Sequence, residues 1–367
     1  MTNPLVRLGQ LGQSPWYDFI TRDLIHSGSL GRLIEQDGLL GMTSNPTIFE
    51  KAIAASADYD AEIRARSAEG FDPAAIFESL AVTDVRAACD AFLPAYHAAG
   101  GRDGLVSLEV SPTLANDTQG TITEARRLWA SLGRPNAMIK IPGTLAGLPA
   151  ITECTAAGIN VNVTLLFAVE RYQAVIDAYL TGLEARAAKG LPIALIASVA
   201  SFFVSRVDTR VDPILDQRGD PKGLRGKTAI ANAGQAYATF ERSVASPRWN
   251  ALAAKGANRQ RPLWASTGTK DPRFGDIYYV EALVARDTVN TLPPDTFNAY
   301  RDHGKPALRI DQAIATAPAQ LAAVAGEGID LNEVTTFLEN DGVAKFAASY
   351  RSLLAGIESK IGALAGR

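Results

Sequence analysis

The sequence predicts an α/β protein folded as a (β/α)8 TIM barrel with additional helices, including a C-terminal helical tail. Three observations carry that prediction. Short strand-like apolar runs recur about eight times, the number a closed barrel of this kind requires. Segments long enough to be crossover helices separate them, as parallel strands demand. Several of the runs alternate polar and apolar residues with the period of two that marks a strand.

In chain order the runs fall near Pro15 to Phe19, Leu39 to Thr43, Leu105 to Val110, Ala137 to Ile141, Ile159 to Thr164, Ala194 to Ala200, Pro262 to Ser266 and Asp287 to Leu292. Between them, Ile122 to Leu132, Ala146 to Ala157 and Glu170 to Ala188 read as crossover helices. Turn chemistry punctuates the series at Gly100-Gly101, Pro142-Gly143, Gly219-Asp220-Pro221 and Pro293-Pro294. Extra helical material is expected from Asp58 to Gly100, from Thr209 to Gly256, and from Ile310 to Arg367, where the Ala-rich stretch Ala313 to Ala325 favours helix. Its expected role is cover for the barrel or an oligomer contact, in a monomer or homodimer. With no linker, repeat or low-complexity segment, residues 1–367 read as one domain.

Composition excludes several classes of function. Hydrophobic residues make up 47% and charged residues 20%, an ordinary globular balance. The net charge of -3 offers no general attraction to nucleic acid or to an acidic membrane, so any anion site must be local. Cys89 and Cys154 lack partners at redox or metal-ligand spacing, and His26, His97 and His303 are scattered. A metal site is therefore not expected, and neither is a nucleotide site, since no Gly-rich phosphate fingerprint occurs. No apolar run is long enough to span a bilayer, and residues 1–7 lack a basic-then-apolar signal pattern. The expectation is a cytoplasmic protein.

One lysine stands out. In Asn136-Ala-Met-Ile-Lys140-Ile-Pro142-Gly143 it interrupts an apolar, strand-like run. Burial disfavours an ammonium and makes a neutral, nucleophilic amine available, which is what a Schiff-base enzyme needs. A lysine reaching water from a strand end is the plainer alternative. Neighbouring runs bear on the choice. Ser107, Glu109 and Ser111 share one face of their strand, and Asn160, Asn162 and Thr164 share one face of theirs, with Val and Leu opposite. In a barrel the apolar faces meet the helices and the polar faces point inward, where Lys140 also points.

Four stretches, Thr43-Ser44-Asn45-Pro46-Thr47, Leu108-Glu109-Val110-Ser111, Ile139-Lys140-Ile141-Pro142 and Asn162-Val163-Thr164-Leu165-Leu166-Phe167, resemble the transaldolase motifs in the same order. The resemblance runs from Trp16-Tyr17-Asp18 to Asp302-His303-Gly304 and is nearest to the longer bacterial type. It implies a cofactor-free transferase of the non-oxidative pentose phosphate pathway. Such an enzyme moves a dihydroxyacetone unit reversibly from sedoheptulose 7-phosphate or fructose 6-phosphate to glyceraldehyde 3-phosphate or erythrose 4-phosphate. The resemblance makes Lys140 the Schiff-base lysine, Asp18 the acid/base for the C4 hydroxyl, and Glu109 a carboxylate acting through a water that Thr164 helps to order. Asn45, Asn162 and Ser201 would hold the hydroxyls of the bound unit. Ser201-Phe202-Phe203-Val204-Ser205-Arg206 resembles the sixth-strand motif whose arginine grips phosphate, which puts Phe203 and Arg206 in the substrate site. Where the family often carries a second arginine the sequence reads Trp264-Ala265-Ser266-Thr267-Gly268-Thr269-Lys270, so Ser266 and Lys270 stand as replacements.

Two other functions share the fold. A fructose 6-phosphate aldolase-like enzyme would release free dihydroxyacetone, but those enzymes are shorter and lack a carboxylate at the Glu109 position. A non-catalytic phosphosugar-binding protein would have no need of Lys140, Asp18 and Glu109 together.

Overall fold

A computed structural model describes residues 3–365. Eight parallel strands close in sequence order into a barrel. They are β1 (Gln13–Tyr17), β2 (Gly41–Thr43), β3 (Leu105–Glu109), β4 (Ala137–Pro142), β5 (Val161–Leu166), β6 (Ser198–Phe203), β7 (Gln260–Ala265) and β8 (Thr288–Leu292). The expected crossover helices are present at Thr118–Leu132, Gly147–Ala157 and Val169–Ala188. The outward faces are apolar as anticipated: Val106, Leu108, Ile139, Ile141, Val161 and Val163 are all buried against the helical layer.

The sixth strand departs most from expectation. It begins at Ser198 rather than Ala194 and runs on through Phe203. The apolar residues before it belong to an approach segment, where Leu195 is 66% exposed and the side-chain amide of Asn258 donates to the carbonyls of Ala194 and Ile196. Apolar composition there reflects local packing, since the backbone makes no ladder until it reaches β5 and β7. The shift carries Ser201 and Phe203 into the barrel wall.

The segment expected as extra helix from Thr209 to Gly256 is helical, its first helix beginning four residues earlier. Ser205–Gln217, Thr228–Val244 and Pro247–Ala253 together make the crossover between β6 and β7. The tail forms two helices, Ile310–Gly326 and Leu331–Ala365. The first packs on Thr228–Val244. The second touches Ser205–Gln217, which follows β6, and also Pro46–Ala55, which follows β2, so it spans the C-terminal mouth of the barrel.

Two features close the barrel below the site. At the N-terminal end Arg261 pairs with Asp103 at 2.8 Å, and the Ser14 hydroxyl donates to the same carboxylate at 2.8 Å. Above this polar plug the indole of Trp16 is fully buried, and a Cβ added at Gly41 would lie 2.4–2.6 Å from its ring atoms. Glycine on β2 is what lets the indole cross the interior and form a floor.

That floor gives a first test. Replacing Gly41 by valine overpacks the interior and should lower unfolding stability by about 1–3 kcal/mol, read as a reduced urea midpoint. An unchanged midpoint would show that the indole does not fill this space.

Candidate active site

Parallel pairing sets Glu109 of β3 opposite Lys140 of β4, and Lys140 opposite Asn162 of β5. Three adjacent strands thus present a carboxylate, an amine and an amide in one row. Side-chain exposure is 6% for Lys140 and 3% for Glu109, so both chargeable groups are withdrawn from solvent. The Lys140 Nζ stands 3.6 Å from Glu109 Oε2, too far for a good hydrogen bond, and donates instead to the Ser44 carbonyl at 3.1 Å. Burial pushes the Glu109 carboxyl up to about 7; the Lys140 charge opposes the rise and the Asp18 charge adds to it. A group at that value holds or gives up a proton near neutrality.

Asp18 follows the last residue of β1, where its N–H donates to the Leu292 carbonyl at 2.9 Å. Its carboxylate accepts from the Thr43 hydroxyl at 2.7 Å, and that hydroxyl lies 2.6 Å from the Thr291 hydroxyl. Burial raises the Asp18 carboxyl above the ordinary carboxylate range, with the Lys140 charge, the Thr43 hydrogen bond and the Arg206 charge acting against it. The plainer role of helix cap belongs to Thr21, whose hydroxyl accepts from the Leu24 N–H at 3.1 Å. Asp18 is thereby left to the barrel interior.

Asn162 and Ser201 are joined: the Ser201 hydroxyl donates to Asn162 Oδ1 at 2.7 Å, and Asn162 Nδ2 donates to the Ser107 hydroxyl at 3.0 Å. Asn45 caps the helix Pro46–Ala55 by accepting from the Ile48 N–H at 3.0 Å, and its amide N–H groups have no partner among the described residues. Thr164 is fully buried, and its hydroxyl has no hydrogen-bond partner among the described residues. Next to it the β5 to β6 pairing is interrupted between Val163 and Leu166, and Leu165 adopts φ 60. A left-handed branched residue is costly and persists where its surroundings enforce it, commonly at functional sites. Asn160 lies lower in the barrel and spends its side chain on backbone groups of residues 135, 137 and 197.

Above this row is a cavity of about 410 Å³, lined among others by Asp18, Asn45, Lys140, Thr164, Ser201, Phe203, Arg206, Ser266 and Lys270. Nine of the eleven residues picked out from the sequence therefore line one cavity, while Glu109 and Asn162 are not part of its lining. The Arg206 guanidinium lies 4.9 Å from the centre of the Phe203 ring, and its Nη1 is buried without a partner among the described residues. Burial lowers the Arg206 pKa, while the Asp341 and Asp18 charges oppose that shift. Ser266 leaves β7 with φ 56, its hydroxyl 3.2 Å from that of Ser205, and Lys270 is exposed at the rim.

Sequence reasoning missed several members of the site. Thr43 is on β2 two residues beyond Gly41, a position from which strand parity could have pointed it inward. Thr291, Lys51 and Phe346 gave no such signal. Phe346 comes from the C-terminal helix, places its ring centre 6.0 Å from Lys140 Nζ, and lines the cavity. Among the described residues no group of three His, Cys, Asp or Glu side chains is arranged to hold a metal ion, and His303 sits on the surface between Asp276 and Asp302.

Comparison with known proteins accords with this geometry. The family model described as Transaldolase/Fructose-6-phosphate aldolase matches residues 15–357. A protein named Transaldolase from Frankia alni is 49% identical over 365 residues, covering 99% of this chain and 98% of the relative. One of the same name from Acidothermus cellulolyticus is 50% identical over 361 residues, with 97% and 96% covered, and a Transaldolase 2 from a Nostoc species is 48% identical over 372 residues, with 98% of each covered. By these matches, spanning the whole barrel and its helical tail, the chain belongs to the transaldolase/fructose-6-phosphate aldolase family.

Proposed function

We propose that this family enzyme is a transferase acting as a transaldolase, carrying a dihydroxyacetone unit from a ketose phosphate to an aldose phosphate on Lys140. The observation that supports it best is the buried row of Glu109, Lys140 and Asn162 beneath a cavity that also holds Asp18 and Arg206. Sedoheptulose 7-phosphate or fructose 6-phosphate is the donor, and glyceraldehyde 3-phosphate or erythrose 4-phosphate the acceptor. The enzyme works in the cytoplasm as a monomer or homodimer, in the pentose phosphate pathway. No described helix is long and apolar enough to cross a membrane.

In this reading the Lys140 amine attacks the ketose C2 carbonyl. Glu109, through a water, passes a proton to the carbinolamine hydroxyl, which leaves as water and yields the protonated imine. That imine draws electrons from the C3–C4 bond as Asp18 takes the C4 hydroxyl proton, and an aldose phosphate departs. The three-carbon unit stays on Lys140, oriented by Asn45 and Ser201 with Asn162 fixing the serine hydroxyl from behind. An incoming aldehyde then accepts the unit, Asp18 returns its proton, and hydrolysis frees Lys140. Uncharged hydrogen-bonding groups suit the triose because they orient it without adding charge near the amine. Arg206 grips phosphate, its guanidinium held against Phe203, with Ser266 and Lys270 beside it.

The family's description also names fructose-6-phosphate aldolase, the alternative in which dihydroxyacetone would be released. Glu109 and the added helices favour transfer, as does similarity to proteins named Transaldolase over nearly their full length. A transfer assay separates the two: with fructose 6-phosphate as donor, sedoheptulose 7-phosphate should form only when erythrose 4-phosphate is supplied, with negligible free dihydroxyacetone. Steady release of dihydroxyacetone without acceptor would reverse the assignment.

The pH dependence tests Glu109. Its carboxyl is the donor when protonated, so single-turnover imine formation should fall as pH rises through about 7, the value to which burial lifts it. Glu109→Gln should remove that limb and slow the step by about 10²- to 10⁴-fold. A limb that persists in the variant would assign the proton to another group.

A further inference from the structure

The cavity over Lys140 contains a cation that the mechanism above leaves unused. Four cationic side chains line it, Lys51, Lys140, Arg206 and Lys270, against the single carboxylate of Asp18. Lys51 is on the helix Pro46–Ala55, which follows β2, and Arg206 is in the first turn of the helix that follows β6. In a closed ring of eight strands, three strands separate β2 from β6 in either direction. The two cations therefore stand on opposite walls of the mouth.

The direction of Lys51 is set by a rigid element. Thr47, Ile48 and Lys51 all line the cavity, and their spacing of three and four residues makes them one face of the helix. Asn45 caps that helix, while Thr47 donates to the Ser349 hydroxyl at 2.8 Å and Glu50 accepts from the Ser352 hydroxyl, tying it to the C-terminal helix. Glu50, the nearest acid in sequence, is thus occupied elsewhere. Among the described residues no ion pair is formed by Lys51, whose charge is left facing the mouth.

We propose that Lys51 forms a second anion-binding position, across the mouth from Arg206, which takes the phosphate of an aldose phosphate as it enters. The proposal rests on the transfer reaction argued above. In that reaction one aldose phosphate must leave and another arrive while the three-carbon unit stays bound. A single cationic cluster can receive the incoming phosphate only once the departing one has left. Two separated positions let the incoming phosphate dock first, and an excess of positive charge at a cleft speeds its capture.

The test compares Lys51→Met, Lys51→Arg and the wild type with two acceptors, erythrose 4-phosphate and unphosphorylated erythrose. Lys51→Met should raise KM for the phosphorylated acceptor about fivefold, the scale of an exposed ion pair, with kcat little changed. The arginine variant should restore it, and KM for erythrose should not move. A KM for erythrose 4-phosphate equal to the wild type's would overturn the proposal, as would an equal rise with erythrose, which would mean a packing role. A readout independent of turnover is phosphorus NMR line broadening of inorganic phosphate. It should report two sites in the wild type and one in each of Lys51→Met and Arg206→Gln; one wild-type site, lost with Arg206→Gln alone, would equally overturn it. If the wild type transfers no unit to either acceptor, the activity reading fails, while phosphate binding still decides the question of Lys51.

Discussion

The arrangement of this protein depends on holding an amine inside a barrel without locking it into an ion pair. Register alone does much of this, because the pairing of β3 with β4 fixes Glu109 beside Lys140. At 3.6 Å the two attract each other, yet each side chain is almost wholly withdrawn from water. Two unit charges at about 4 Å gain about 4 kcal/mol in a medium of intermediate polarity. Desolvating each ion costs an amount of the same order, several kcal/mol. Counted for both ions, desolvation outweighs the attraction, so burial is what sets the state of the carboxyl. The Glu109 carboxyl is accordingly lifted to about 7 by burial, against the pull of the Lys140 charge.

The rest of the fold serves that balance. Trp16 and the Arg261 to Asp103 pair seal the barrel below, which separates the polar layer around Lys140 from solvent at the N-terminal end. The C-terminal helix covers part of the other side. It crosses the mouth near Leu165 and Arg206, and a Cβ added at Gly342 would come within 2.9 Å of the Leu165 side chain. That close approach brings Phe346 against the cavity. The site is thus open to solvent through a mouth lined with cations and shielded elsewhere by apolar packing. The left-handed Leu165 and Ser266 both occur where strands β5 and β7 give way to the loops of the mouth.

Much of this was legible in the residues. Period-two alternation put Ser107, Glu109, Ser111, Asn160, Asn162 and Thr164 on inward faces, and all are buried except Ser111, which lies beyond the end of β3 and is partly exposed. Eight strands were found because each is short, apolar and bounded by turn residues. Their edges were less clear where apolar residues pack without pairing, as before β6, and where a strand yields to a strained loop residue, as at Ser266. Two missing members of the site, Thr291 and Phe346, are brought in by chain distant in sequence. Thr291 meets Thr43 across 248 positions, and Phe346 reaches Lys140 from the last helix. Local periodicity carries no information about such meetings. Lys51 was passed over for a different reason, since a lysine on a helix ordinarily faces water and only the closed topology places this one opposite Arg206.

The central claim is that Lys140 carries the substrate covalently, and intact mass tests it most directly. After incubation with fructose 6-phosphate and borohydride, the wild type should gain the mass of one reduced dihydroxyacetone unit, mapped by peptide fragmentation to Lys140, and Lys140→Ala should gain none. An unmodified, folded wild type that still binds the phosphosugar would contradict the account, and an adduct that persists in the variant would move the chemistry to another lysine.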